Sequence, residues 1–327
     1  MFKLKCLLST AFGAALLAQP AASASLRSTS VWLPEGFDYP NGVAFTELGS
    51  LMIGSVVSGD IAEIALGAAP AVAFERTDRR FAGTALRYDA ERAKLWVASP
   101  DFLGVEVDGE IRRRPHRLAV MDGQTGEVEW SVEMPDAGFP NDIALDGQGG
   151  AFVTDTTRGR VLHVREPGAA LEIVAEGLES RNGALGPAGI AVDRDGSLIV
   201  GLYSDGRLVR VRPATSGASA AIEDIALDGA IANPDGMVFG PDGRLLVIDG
   251  GVETGNGRLL AVDLRSSAPH PVEVLISGLD LPVNLAVRDD LAAVTESRIR
   301  HRMVDDPTLL PPQRFRVVLF RLDDSEE

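Results

Sequence analysis

Cysteine and lysine are almost missing from this chain. Of its 327 residues one is cysteine, Cys6, and three are lysines, Lys3, Lys5 and Lys94. The opening stretch, MFKLKCLLSTAFGAALLAQPAASAS, puts Lys3 and Lys5 ahead of an apolar run from about Leu7 to Ala18. Ala22-Ser23-Ala24 then supplies the small-x-small pattern read by a signal peptidase. The run is shorter than the roughly 20 residues a membrane span needs. No later stretch reaches that length without a charge. The expectation is a cleaved signal peptide at 1–24 and a single mature domain at 25–327, periplasmic or secreted, with no membrane span.

Without Cys6 the mature chain has no disulfide, no thiolate metal ligand and no Cys nucleophile. Losing Lys3 and Lys5 takes the formal charge from −16 to −18. So acidic a chain is a poor partner for nucleic acid or anionic lipid, which points instead to a small-molecule substrate. The 35 glycines and 19 prolines are spread throughout, which favours one turn-rich domain over two domains joined by a linker.

What the chain does have is a repeat. NPDGMVFGPDGRLLVIDGG (233–251) aligns with YPNGVAFTELGSLMIGS (39–55), AGTALRYDAERAKLWVAS (82–99) and FPNDIALDGQGGAFVTD (139–155). GPAGIAVDRDGSLIVGL (186–202) and LPVNLAVRDDLAAVTES (281–297) complete the set. The residues in register with Asp235 are Asn41, Thr84, Asn141, Ala188 and Asn284, at successive spacings of 43, 57, 47, 47 and 49. That period is the length of a four-stranded propeller blade, and each unit shows period-two alternation. The predicted fold is all-β, a six-bladed β-propeller with four-stranded antiparallel blades. The sixth unit shows only three strands, so the apolar segment Ser30–Leu33 is expected to supply its outer strand and close the ring. A seventh blade would have to lie in the 57-residue spacing, where Phe102–Arg117 reads as a loop.

In a propeller, equivalent inner-strand positions meet around one axis. Asn41, Thr84, Asn141, Ala188, Asp235 and Asn284 would ring one mouth of the channel, with Asp235 the only acid among them. Amide and carboxylate oxygens converging there suit a hard cation. A second reading stands beside that one: Asn or Asp before Gly is favoured wherever a chain turns into a strand.

NPDGMVFGPDGRLLVID, FPNDIALDGQGGAFVTD and the Pro-Glu-Gly of LPEGFDYPNGVAF resemble the senescence marker protein (regucalcin)/gluconolactonase family over essentially the whole mature chain. The resemblance implies a channel-bound divalent metal, most often Ca²⁺, held by a first-blade Glu, two Asn and a fifth-blade Asp. Asp235 and Asn141 match two of those ligands. The fourth-blade Asn is replaced by Ala188, and the first-blade Glu falls at Asn41, with Glu35, six residues earlier in the Pro-Glu-Gly motif, a second-choice substitute. Asn284 and Asn182 are candidates to bring further oxygens. The resemblance also implies hydrolysis of a lactone or related ester, with Asp235 as general base or nucleophile. Thr84, Asn182, His116 and His301 are the expected substrate contacts. The loops at 102–117, 202–206, 249–257 and 296–314 would set specificity. An exported, metal-dependent, gluconolactonase-like hydrolase is therefore expected. The alternative, motivated by Ala188 and Thr84, is a non-catalytic periplasmic binding or scaffold propeller that has lost part of its metal site.

Overall fold

A computed structural model describes residues 26–323 apart from 66, 109, 182–184 and 214–218. The expected signal peptide and Asn182 lie outside the described residues. Six four-stranded antiparallel sheets stand around one axis. Their inner strands are Pro40–Phe45, Ala85–Asp89, Pro140–Leu145, Pro187–Val192, Pro234–Phe239 and Pro282–Arg288. Five of the six begin at proline, a position where a strand can do without an amide donor. Successive inner strands touch one another all the way round.

The ring closes as the sequence predicts, with a slightly different boundary. Ser28–Trp32 pairs antiparallel with Arg316–Arg321 and becomes the outer strand of the sixth blade. The segment read as a loop at 102–117 contains a short hairpin, Val105–Val107 with Glu110–Arg112. It pairs with no other strand and makes no seventh blade. Among the described residues no helix is long and apolar enough to cross a membrane.

The apolar core is divided among the blade interfaces. Trp96, Ala98 and Leu118 of blade two pack with Ile143, Val153 and Leu162 of blade three. Val43 and Ile53 of blade one pack with Ala293 and Val317 of blade six. Each blade thus buries both faces against neighbours, which explains why the second strands read as near-continuous apolar runs.

The Asn41-Gly42, Ala188-Gly189 and Asp235-Gly236 pairs are not turns. Gly42, Gly189 and Gly236 sit inside inner strands and none has positive φ. A Cβ on Gly189 would lie 1.9 Å from the carbonyl oxygen of Asp235. On Gly236 it would lie 2.8 Å from the Cα of Asn284, and on Gly42 2.7 Å from the amide of Leu86. These glycines let adjacent inner strands approach. The left-handed turn of the stretch is at Gly243, with φ 80°.

A second repeated device anchors the segments leading into the inner strands. In four of the six blades the residue ending the second strand accepts from backbone amides there. Asp155 takes the amide of Phe139 at 2.8 Å, and Asp249 that of Asn233 at 2.9 Å. Glu296 takes the amide of Asp280 at 2.7 Å. Ser99 does the same for Phe81 and Ala82. All three acids are buried, and each pairs with the arginine that opens its third strand or lies next to it: Arg160, Arg258 and Arg316. Removing one partner strands a buried charge, which costs about 3–5 kcal/mol. Arg160→Met should lower stability by that amount. Glu129→Ala, which breaks an exposed pair with Lys94, should cost less than about 1 kcal/mol. Urea midpoints with unchanged m-values would check both.

Candidate active site

A cavity of about 130 Å³ lies among residues contributed by all six blades. Three repeated positions build much of its wall. The ring residues Asn41, Thr84, Asn141, Asp235 and Val283 face it. Phe139 and Leu281, two residues before their ring positions, stand above them. Val56, Thr156, Tyr203 and Ser297, each following the last residue of a second strand or the position matching it, complete the cup. These residues are placed by the inner and second strands, with acid anchors in blades three, five and six.

Blade six departs from the predicted register by one residue. Pro282 opposes Glu296 and Leu285 opposes Val294, just as Pro234 opposes Asp249 and Met237 opposes Val247. The shared proline sets the level, so Val283 and not Asn284 takes the ring position. Asn284 falls one step deeper, level with Gly236 and Asp142, and does not line the cavity.

That deeper level holds a polar cluster that the repeat alignment passed over. Arg87 Nη2 donates to Asp142 Oδ1 at 2.8 Å, and its Nη1 donates to Asn284 Oδ1 at 3.3 Å. Asp142 Oδ2 accepts the amide of Ile190 at 3.2 Å. Asp142 is 1% exposed, and burial raises its pKa despite the opposing charge of Arg87. Among the described residues Asp235 is therefore the only acid lining the cavity, with a second acid, Asp142, buried one level deeper.

Asp235 lies deep in the protein yet keeps part of its surface open to the cavity. Its carboxyl is raised well above the ordinary value of 3.8, first by burial and then by the charge of Asp142. No cationic side chain offsets it, because Arg87 is spent on Asp142. Tyr203, on the same wall, is kept protonated by burial, with Asp235 and Asp249 adding to the effect. Asn141 donates Nδ2 to Thr156 Oγ1 at 3.0 Å, and Thr156 donates to Pro187 O at 2.7 Å. This chain fixes the amide and leaves its oxygen available. Thr84, 6% exposed, has a buried hydroxyl with no partner among the described residues.

The remaining sequence-derived candidates lie elsewhere. Glu35 is exposed on the turn after Ser28–Trp32, beside Arg314 and Phe315, outside the central cavity. His116 stands behind the wall: its Nδ1 accepts the amide of Asp101 at 2.8 Å, and its ring meets Phe139 edge-on. His301 is held by the Tyr39 hydroxyl at 3.3 Å. Neither histidine lines the cavity.

A hard divalent cation fits this donor set. The Asp235 carboxylate, the Asn41 and Asn141 amide oxygens and the orphaned Thr84 hydroxyl are oxygen donors on one cavity. The uncompensated charge of Asp235 is what a cation would neutralise. At the fourth position Ala188 is fully buried and contributes only a methyl group. Among the described residues no three His, Cys, Asp or Glu side chains group as ligands, so any such site relies on amides and water.

Comparison with known proteins bears on the fold. Neither a family model nor a curated protein sequence matches the chain. Solved structures do. An oxidoreductase described as a glucose dehydrogenase from Thermus thermophilus is 19% identical, with a TM-score of 0.60 over 90% of this chain and 99% of that one. A gluconolactonase from Xanthomonas campestris is 14% identical, with a TM-score of 0.61 over 93% of each chain. Virginiamycin B lyase from Staphylococcus aureus is 12% identical, with a TM-score of 0.55 over 90% of this chain and 99% of that one. The gluconolactonase-like resemblance read from the sequence agrees with this six-bladed architecture.

A raised carboxyl has a signed consequence for stability. The folded state holds the Asp235 proton more tightly than the unfolded chain, so stability falls as pH rises from about 3.8 through the folded value. In chelator, Asp235→Asn should therefore be more stable than the natural protein at pH 7, by about 1 kcal/mol or more. The gap should close below pH 4. Thermal melts of both proteins across pH 3.5–8 would show it, and equal melts at every pH would contradict the assignment.

Proposed function

We propose that the protein hydrolyses a lactone or related ester in this cavity, with a divalent cation, Ca²⁺ suiting the donors best. The observation that carries the proposal is Asp235: a deep, raised carboxyl beside two amides on the floor of an accessible cavity. Buried carboxylates without a cationic partner are rarely structural, because they cost stability, and perturbed groups in clefts mark functional sites.

Asp235, Asn41 and Asn141 would hold the cation, with Thr84 beside them. A bound divalent ion supplies Lewis-acid polarisation of a carbonyl oxygen. The chain's own residues do the rest. Asp235, which a bound cation would keep ionised, accepts a proton from the attacking water. Tyr203, held as a neutral phenol, can donate a hydrogen bond to oxygen that gains charge during attack. Asn141, locked by Thr156, keeps its oxygen in place without rearrangement. The apolar wall limits bulk water. Export through residues 1–24 belongs to the same proposal and would place the reaction in the periplasm or outside the cell.

A second reading keeps the cavity and drops the chemistry. Ala188 at the fourth ring position favours it, since one side-chain oxygen of the set is replaced by a methyl group. A binding propeller would take up a small ligand without turning it over.

Hydrolysis of a panel of lactones and aryl esters, followed by pH-stat with added CaCl₂ or MnCl₂, separates the two. On the hydrolase reading Asp235→Ala lowers kcat/KM by about 10² or more, and Tyr203→Phe lowers kcat by about tenfold or more. Full activity in Asp235→Ala would rule out its role as base. Ligand binding with no turnover of any panel member would favour the binding propeller.

A further inference from the structure

If the floor of the cavity handles a carbonyl, the walls decide what is attached to it. Phe102, Phe139, Leu185, Leu281, Ile299 and Met303 form most of the upper wall. Phe102 and Phe139 meet edge-on, their centroids 6.2 Å apart. Among the described residues lining the cavity there is no Arg, Lys, His, Gln or Glu, and Asp235 is the sole charge.

Apart from that of Tyr203, the hydroxyls above the floor are already committed. Thr156 accepts from Asn141 and donates to Pro187 O. Thr157 donates to Asp155 Oδ1, and Ser297 to Leu281 O. The two histidines nearby are turned to Asp101 and Tyr39. Free polar capacity among the described residues is therefore concentrated at Asn41, Thr84, Asn141 and Asp235, with the single Tyr203 hydroxyl beside them. A ligand suited to this cup has one small polar head and an apolar body.

Resting on the hydrolase reading above, we propose that the substrate is a lactone or ester carrying an alkyl or aryl substituent, not a polyhydroxylated sugar lactone. Each sugar hydroxyl placed against these walls would lose its water and gain no partner, at about tenfold in affinity apiece. Each methylene of an alkyl substituent placed there gains about fourfold. The two classes therefore diverge by orders of magnitude in one site.

The test uses the mature chain in calcium buffer and reads binding separately from turnover. Equilibrium binding of two non-hydrolysable lactams, 5-pentyl-2-pyrrolidinone and gluconolactam, is measured by calorimetry. Hydrolysis of γ-nonalactone and glucono-1,5-lactone is measured alongside. The alkyl lactam should bind at least 100-fold more tightly than gluconolactam, and γ-nonalactone should show the higher kcat/KM. Met303→Glu, at a rim residue 38% exposed, should weaken alkyl lactam binding tenfold or more while leaving Tm unchanged. Tight alkyl lactam binding with no hydrolysis of either lactone would overturn the hydrolase reading and leave the apolar recognition standing. Gluconolactam binding as tightly as the alkyl lactam, failure of the alkyl lactam to bind, or indifference to Met303→Glu would overturn the proposal.

Discussion

Six strands crowded around one axis impose the constraint from which the rest of this molecule follows. Inner strands of neighbouring blades come so near that a side chain at the second ring level often has no room. Blades one, four and five meet this with Gly42, Gly189 and Gly236. The second strands meet the same demand in two ways. Gly54 and Gly201 remove the side chain, while Thr154 and Thr295 turn the contact into hydrogen bonds to Ala188 O and Asn41 O of the next blade. In blades three and six the second ring level is polar, and Asp142 and Asn284 reach Arg87 to form a paired cluster between the inner strands. That cluster supplies the second charge that, after burial, holds the Asp235 carboxyl high. Steric crowding at the axis and the electrostatics of the cavity are thus one problem seen at two depths.

Most of the fold was legible because a propeller turns sequence period directly into spatial position. Asn41, Thr84, Asn141 and Asp235 meet on one cavity because their spacing says they must. Register alone could have found more: Phe139 and Leu281 two residues earlier, and Val56, Thr156, Tyr203 and Ser297 just past each second strand. Three things were missed. Asn284 was read one residue out of register, although Pro282-Val283 matches Pro234-Asp235 in the aligned segments. Asp142 looked like one more polar residue after Asn141, since nothing local shows that its partner is Arg87, 55 positions away. Gly236 looked like half of a turn because Asp-Gly usually is one, whereas the tight spot it relieves belongs to another blade. The last two concern contact between units, which a repeat does not encode.

Solved structures similar to this chain carry an oxidoreductase, a lactonase and a lyase name on one scaffold. A scaffold that hosts several chemistries leaves function to the site. Here the site couples a desolvated acid, two amide oxygens and an unpartnered hydroxyl to walls with almost no hydrogen-bonding capacity to spare. The proposed reaction, and the kind of molecule it acts on, both follow from that division between floor and wall.

The strand Ser28–Trp32 sits in the same sheet as Arg316–Arg321, so the sixth blade is made from both ends of the described chain. Five blades can form from contiguous sequence as it emerges, each packing on the one before. The sixth must wait for nearly the whole polypeptide and then bridge almost 300 residues, the kind of distant pairing that slows folding. Until it does, blade one and the inner strands of blade six face solvent, and the cavity lacks Leu281, Val283, Ile299 and Met303 from its wall. Ligand recognition is in this sense the last property the chain acquires, and a truncated or unclosed ring would have a pocket without its apolar side.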